Sequence, residues 1–246
     1  MANMNNAERH GRITSSKISL VIKKGRAKDA VFSQGALTYF QQKRSEKRIG
    51  RTLSTLSHSQ AMMWGLHMEM VVFSYLGLDY KINSQDTTLH PDPNFKNFWS
   101  GSCDLLVPGH KVGEIKAFQL ERGLALNDCL MKKSVELFKK DFPEIYWQIV
   151  SNCILEEVLV GEIISFIPYY SQMKEIQEMA ADIDGPDQWK TRFISEKDMM
   201  ELPCIPDDGY YSNITSFEFD VPEEDIEFLT KRVELAKPYL NINYGI

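Results

Sequence analysis

Hydrophobic and polar residues recur along this chain with two periods, one typical of helices and one typical of strands. The predicted helices are 16–25, 32–48, 57–76, 126–142, 143–157, 171–183 and 222–240, and the predicted strands are 102–107, 112–118, 158–170 and 215–221. Helices come first, then two strands in succession, then helices alternating with strands. This order predicts an α/β fold with a mixed central β-sheet flanked by helices.

Several residues are predicted to mark the ends of these elements. Thr14 or Ser15 is expected to cap the first helix and Gly25 to end it. Gly77 is expected to close the third, strongly apolar helix at its C′ position. The segment 79–99 contains two prolines and is predicted to be irregular.

The region 100–118 is predicted to form a β-hairpin with a Pro-Gly turn at 108–109. Period-2 alternation puts Glu114 and Lys116 on one face of the second strand, and Asp104 faces the same way from the first. Apolar residues fill most of the remaining positions. The hairpin therefore presents two carboxylates and an ammonium in surroundings that otherwise resemble a protein core.

Two interpretations of this triplet are open. Converging carboxylates form a hard oxygen site of the kind Mg²⁺ prefers, and Lys116 would hold or deprotonate a water, or neutralise charge on a phosphate. Such a set suits phosphodiester hydrolysis. The alternative is an exposed hairpin on which Lys116 forms a salt bridge with Glu114 or Asp104.

Glu69 is a carboxylate within the predicted apolar helix 57–76, between two methionines. It lies either on an exposed face shared with Gln60, His67 and Ser74, or in the interior for a functional reason, because an unpaired buried charge is costly.

The composition is that of a globular protein, with 246 residues, 43% of them hydrophobic and 25% charged. No apolar run reaches the roughly 18 residues of a membrane span, and the start lacks the apolar region of a secretory signal. We therefore expect one domain in the cytoplasm and no membrane partner. Four cysteines lie far apart without a CxxC pair, so the sequence suggests neither a zinc knuckle nor an iron–sulfur site.

The net charge of −6 argues against nucleic acid, but the charge is unevenly distributed. Residues 1–51 carry twelve Lys/Arg against three Asp/Glu. This basic part either binds a polyanion or consists of solvated helix faces, and charge alone favours neither.

The hairpin motifs "CDLL" and "GEIKAF" resemble the Asp…Glu-x-Lys core of the PD-(D/E)XK nuclease superfamily. The flanking "RHGRITSSKI", "WGLHMEMVVFSYLG" and "YWQIVSNCIL" are similar to motifs of its YqaJ-type viral recombinases, the phage lambda exonuclease family. There are departures from that pattern. Cys103 and Leu105 flank Asp104 where the family usually has Pro and Gly, and no Trp precedes Arg9.

The resemblance implies a role for each matching residue. Asp104, Glu114 and the Ile115 backbone carbonyl would bind Mg²⁺, for which Mn²⁺ could substitute, and Glu69 would assist through water or a second metal. Lys116 would be the catalytic lysine.

Three further roles follow from the same resemblance. Gln148 would hydrogen-bond within the site or to the nucleotide beside the cut, and Arg9 with Ser16 would receive the 5′-phosphate of a DNA end.

The resemblance also implies a restriction-endonuclease-like fold and a function. Residues 1–246 would form a single nuclease domain, with a helical DNA-end-binding part over about 1–60, a catalytic core over about 61–170 and further strand–helix elements over about 171–246. The implied enzyme is a Mg²⁺-dependent 5′–3′ exonuclease that acts on linear double-stranded DNA in phage-type recombination. It would be a ring-shaped homotrimer in the bacterial or phage-infected cytoplasm and would work with a single-strand annealing protein.

Two other functions are compatible with the sequence. One is a PD-(D/E)XK endonuclease of restriction or repair type, for which 79–99 would supply a recognition loop. The other is a non-catalytic DNA-end-binding protein.

Overall fold

The computed structural model describes residues 7–53, 59–76, 80–82, 86–185 and 188–243. The α-helices in these segments are α1 (Ile18–Ile22), α2 (Gln34–Ile49), α3 (Gln60–Tyr75), α4 (Pro93–Lys96), α5 (Leu120–Met131), α6 (Val135–Asp141), α7 (Pro143–Leu155), α8 (Met173–Ala181), α9 (Gln188–Glu196) and α10 (Glu223–Leu240). The strands are β1 (Ile13–Thr14), β2 (Lys81–Ile82), β3 (Thr88–Leu89), β4 (Trp99–Gly101), β5 (Leu105–Val107), β6 (Lys111–Lys116), β7 (Val160–Phe166) and β8 (Ile214–Asp220). Short 3₁₀ turns lie at Ala7–Arg9, Ser15–Lys17, Tyr170–Gln172 and Met199–Glu201.

The larger sheet has five strands in the order β2-β5-β6-β7-β8. Its central pair, β6 and β7, is parallel, and the other pairs are antiparallel. Helices α5, α6 and α7 connect the two parallel strands, as a crossover connection requires. A smaller sheet, β1-β4-β3, joins the N-terminal segment to the strand before the hairpin. The mixed sheet confirms the predicted fold class.

Helices cover both faces of the large sheet. On one face, Val112 and Ile163 pack in the same hydrophobic cluster as Ile149 of α7. On the other face, Ile115 and Ile164 belong to a second cluster, whose helical members are Trp64, Met68, Val71 and Val72 of α3 and Met173, Ile176 and Ala180 of α8. The alternation of β6 therefore divides the core into two layers and points Glu114 toward α7.

The predicted hairpin is confirmed. Strand β5 pairs antiparallel with β6, with Leu105 opposite Gly113. Gly109 has a φ of +69° in the connecting turn, a conformation that glycine adopts without the strain that a Cβ would bring.

The predicted helix 126–142 is wrong as one element, because two helices, α5 and α6, occupy this region. Lys133 between them has a φ of +50°, and the Ser134 side chain accepts a hydrogen bond from the Leu137 N–H at 3.3 Å. That cap starts a new helix in a different direction.

Other boundaries also differ from the sequence prediction. The first helix ends at Ile22 rather than at Gly25, and Thr14 makes no side-chain cap. Helix α9 was not predicted, and the segment 79–99 contains two short strands and α4 in its described part. The Gly77 helix stop lies outside the described residues. No described helix is both long enough and apolar enough to cross a membrane.

Candidate active site

The hairpin brings Asp104 against β6. The Asp104 backbone N–H donates to the Gly113 carbonyl at 3.1 Å, and its Oδ2 accepts from the Ile115 N–H at 2.8 Å. The Asp104 carboxylate thus accepts the hydrogen bond that a backbone carbonyl of the neighbouring strand would otherwise accept from Ile115. Because the N–H and C=O of one strand residue point to the same side, the Ile115 carbonyl also faces Asp104.

Lys116 and Glu114 form a close ion pair on one face of β6. Lys116 Nζ lies 2.8 Å from Glu114 Oε2 and 3.9 Å from Asp104 Oδ2. Glu114 is fully buried, and Asp104 and Lys116 keep some exposure to solvent. The three predicted residues therefore converge on one small volume.

The electrostatics of this volume are those of crowded carboxylates. Burial raises the pKa of Glu114, and the Asp104 carboxylate raises it further against the opposing effect of Lys116. Burial acts to lower the pKa of Lys116, but Glu114 and Asp104 outweigh it and raise the pKa above its ordinary value. The Lys116 ammonium is therefore charged, whereas burial and the neighbouring carboxylate disfavour the ionised form of Glu114.

Glu69 on α3 belongs to the same group of charges. It is partly buried, between a buried Met68 and an exposed Met70. Burial raises its pKa to about 8, with Asp104 as the next cause. The charges of Asp104, Glu114 and Lys116 all influence the pKa of Glu69. The carboxylate on the apolar helix α3 therefore lies beside the site.

Helix α7 supplies two amide donors to Glu114. Gln148 Nε2 donates to Oε2 and Asn152 Nδ2 donates to Oε1, both at 2.6 Å. The predicted contact of Gln148 within the site is present. Asn152 was not predicted, although its spacing of four residues from Gln148 puts both on one helix face.

Arg9, in the N-terminal 3₁₀ turn Ala7–Arg9, lies near enough to the site for Glu114 to influence its pKa. Burial lowers its pKa, and the nearby Tyr39 and Glu114 act in the opposite direction. Among the described residues the guanidinium has no hydrogen-bond or ion-pair partner. A largely desolvated arginine without a counter-ion is a suitable anion receptor.

Ser16 is exposed, and the described residues show no contact between it and Arg9. Its Oγ lies 3.4 Å from Thr14 Oγ1, which in turn is 3.3 Å from the Tyr39 hydroxyl. Thr14 therefore links Ser16 to Tyr39, whose charge also influences the pKa of Arg9.

The donor set of the site fits Mg²⁺. Within the described segments no group of three or more His, Cys, Asp or Glu is close enough to form a metal cage. The Asp104 and Glu114 carboxylates lie there instead, both close to Lys116. Mg²⁺ characteristically takes one or two carboxylates and keeps several waters, so this pair and a backbone carbonyl such as that of Ile115 suit it. Burial first, and the Asp104 carboxylate second, raise the pKa of Glu69 and Glu114, so their ionised forms are disfavoured and a divalent cation would stabilise them.

No family model matches the chain, and no curated protein matches its sequence. Solved structures do share its architecture. The alkaline exonuclease LHK-Exo from Laribacter hongkongensis is 14% identical, with a TM-score of 0.62 over 96% of this chain and 91% of that one. The same enzyme in complex with dAMP gives a TM-score of 0.62 at 14% identity, over 95% and 90% of the two chains.

A phage-related exonuclease from Haemophilus somnus 129PT is 15% identical, with a TM-score of 0.55 over 97% of this chain and 96% of that one. The chain has the restriction-endonuclease-like fold. At this level of identity the similarity establishes the fold, and the similarity extends over nearly the whole length of each protein.

Proposed function

We propose that this protein is a Mg²⁺-dependent exonuclease of the YqaJ type, which hydrolyses linear double-stranded DNA from an end in the 5′ to 3′ direction. The observation that carries the proposal is the convergence of Asp104, Glu114 and Lys116 at the end of a buried hairpin. Glu69 and Gln148 join them from two helices, on a fold shared with exonucleases. A salt bridge for stability alone would need neither the third carboxylate nor the amide donor.

Asp104, Glu114 and the Ile115 carbonyl would hold the Mg²⁺, with Glu69 acting through water and Mn²⁺ as a substitute. When bound, the ion would polarise the scissile phosphate and make an attacking water more acidic. Glu114 is already oriented to bind the ion, because Gln148 and Asn152 hold its two oxygens by hydrogen bonds.

Lys116 would act on the water and on the phosphate. Its ammonium is held between the carboxylates and keeps some exposure toward solvent, from which substrate arrives. From that position it can orient the attacking water and offset negative charge that builds up on the phosphate. Gln148 would keep Glu114 in place beside it.

Arg9 would receive the terminal 5′-phosphate. Its guanidinium has no described partner and lies within electrostatic reach of Glu114, so a phosphate bound there would be near the scissile bond. The planar guanidinium can meet two phosphate oxygens at once. Ser16, which is exposed, would add a hydroxyl donor to the same phosphate.

The proposal extends to assembly and partners. The basic residues among 1–51 would line the channel of a homotrimeric ring around the duplex, and the acidic remainder would face outward. The 3′ single strand left by digestion would pass to an annealing protein in the cytoplasm.

The test uses end-labelled linear duplex, with or without a 5′-phosphate, in Mg²⁺ or in EDTA. We expect Mg²⁺-dependent release of nucleotides from 5′ ends, faster on phosphorylated ends, while covalently closed circles survive. Efficient cutting of closed circles would support an endonuclease instead. Binding to ends without hydrolysis would support a non-catalytic end-binding protein.

A further inference from the structure

Asn152 connects the two segments that carry the candidate metal ligands. Its Nδ2 donates to Glu114 Oε1 at 2.6 Å and to the Ser102 carbonyl at 3.2 Å. Ser102 lies two residues before Asp104, on the approach to β5, and Glu114 lies on β6. One amide group therefore ties the Asp104 segment to Glu114.

We propose that Asn152 is a positioning residue that sets the distance between the Asp104 and Glu114 carboxylates and thereby the affinity of the site for its divalent cation. This inference rests on the proposed function. The side chain is 1% exposed, so water does not compete for its hydrogen bonds.

The orientation of the amide is determined by its neighbours. Both groups that Nδ2 meets are acceptors, so a flipped amide would lose two hydrogen bonds and bring Oδ1 against a carboxylate. On the other side, a Cβ added to Gly101 would lie 2.6 Å from Oδ1. Asn152 Oδ1 is therefore packed closely against Gly101.

Asn152 and the other donors of the site bind different oxygens of Glu114. Lys116 and Gln148 both donate to Oε2, whereas Asn152 is the described donor to Oε1. Without Asn152 every described hydrogen bond to the Glu114 side chain would be made to Oε2. The carboxylate would then rotate toward Lys116. A carboxylate that leaves its productive orientation binds the cation less well, since partners of metal ligands typically contribute 10- to 100-fold to metal affinity.

The experiment replaces Asn152 by leucine, which has a similar shape and no donor. Binding of Mn²⁺ alone is measured by electron paramagnetic resonance on the free protein, without DNA. We expect Asn152→Leu to raise the Kd for Mn²⁺ by about 10- to 100-fold. The Mg²⁺ concentration that half-saturates hydrolysis should rise by a similar factor, and saturating Mg²⁺ should restore most of the rate.

Asn127→Leu is the matched control. Asn127 on α5 is also fully buried, and within the described part of the chain neither of its side-chain polar atoms has a hydrogen-bond partner. Its substitution should leave the Kd for Mn²⁺ unchanged. If the circular dichroism spectrum shows that Asn152→Leu does not fold like the wild type, Asn152→Ser is used instead. The serine side chain is too short to reach Glu114, so the same increase in the Kd for Mn²⁺ is expected.

The two proposals fail in different ways. Wild-type Mn²⁺ affinity in a folded Asn152 variant overturns the role of Asn152 and leaves the nuclease proposal intact. A wild-type protein that binds no Mn²⁺ and hydrolyses no DNA overturns the proposed function and the role of Asn152 together.

Discussion

Gln148 and Asn152 lie one helical turn apart on α7, and each donates its side-chain amide to a different oxygen of Glu114 at 2.6 Å. Residues at i and i+4 share a helix face, so a single helix presents both donors to one buried carboxylate. Lys116 adds an ammonium from the same strand as Glu114. Glu114 is therefore the residue on which the amide donors and the ammonium of the site converge.

Removing a charge from the hairpin should abolish hydrolysis without unfolding the protein. Lys116→Ala removes the ammonium beside Glu114, and Asp104→Ala removes a candidate metal ligand. We expect each to reduce kcat by at least about 10²-fold, because Lys116→Ala removes charge stabilisation and the orientation of the attacking water, and Asp104→Ala removes a ligand of the metal. Release of labelled nucleotides in Mg²⁺ measures the effect. Lys174→Ala, which changes an exposed lysine on α8, is the control, and unchanged activity in either hairpin variant would move the active site elsewhere.

The 5′-phosphate preference should depend on Arg9 and not on its neighbour Arg12. Arg9 has no described partner, whereas Arg12 Nε donates to the Lys96 carbonyl at 2.9 Å and its guanidinium also donates to the Glu8 carbonyl. Arg9→Ala should selectively slow digestion of phosphorylated ends, and Arg12→Ala should affect both kinds of end alike. Rates on matched 5′-phosphate and 5′-hydroxyl duplexes test this, and equal losses for Arg9→Ala would contradict it.

Stability should depend on the contact between α7 and α10. The Tyr146 hydroxyl donates to Asp225 Oδ2 at 2.6 Å, and Lys139 Nζ donates to the same oxygen at 2.7 Å. Because Asp225 is buried, Tyr146→Phe should lower the free energy of unfolding by about 1.5–3 kcal/mol in urea titrations. Tyr211→Phe removes a similar bond to Asp128 at the surface and should have no measurable effect. Equal effects of the two substitutions would show that burial is not the cause.

Gly101 should tolerate no side chain. A Cβ there would lie 2.0 Å from Ser15 Oγ, 2.6 Å from Asn152 Oδ1 and 2.7 Å from Leu155 Cδ1. We expect Gly101→Ala to cost about 1–3 kcal/mol of stability through overpacking. Gly35→Ala on α2 meets only Ser33 Oγ at 3.9 Å and should be neutral or stabilising, by up to about 1 kcal/mol. Thermal unfolding of both variants checks this, and a Gly101→Ala protein as stable as wild type would contradict the packing.

Stability should fall in mild acid because of His90. Its Nδ1 accepts a hydrogen bond from the Asp92 N–H at 3.1 Å, and protonation removes this acceptor. Burial lowers the pKa of His90, and Lys237 acts in the same direction, against the opposing charges of Asp92 and Glu157. The unfolded chain therefore binds the proton first, so this contribution is complete above about pH 6.5 and is lost as the pH falls below it.

Urea unfolding of wild type and His90→Asn tests the His90 prediction. The asparagine keeps an acceptor for the Asp92 N–H but does not titrate. Between about pH 7.5 and about pH 5.5 the wild type should lose more free energy of unfolding than the variant. Equal losses would place the acid sensitivity at other groups.

The sequence alone determined the hairpin, its three charged residues and the α/β order of the elements. These follow from local rules, since period-2 alternation and the Pro-Gly turn decide which hairpin side chains face together. The α5–α6 division and α9 were missed. At Lys133 a left-handed residue and the Ser134 cap override a continuous helical pattern. Helix α9 has only nine residues, fewer than the roughly 11 over which helical periodicity is recognised.

Only the tertiary structure decided which distant polar groups contact each charged side chain of the site. The spacing of Gln148 and Asn152 was visible in the chain, but which face of α7 packs on β6, and therefore that Asn152 reaches Glu114, depends on core packing between segments 38 residues apart. The same holds for Arg9, whose burial depends on the packing of the N-terminal segment against the rest of the protein. Local patterns specify elements and their faces, whereas the pairing of distant polar groups depends on how the buried apolar faces fit together.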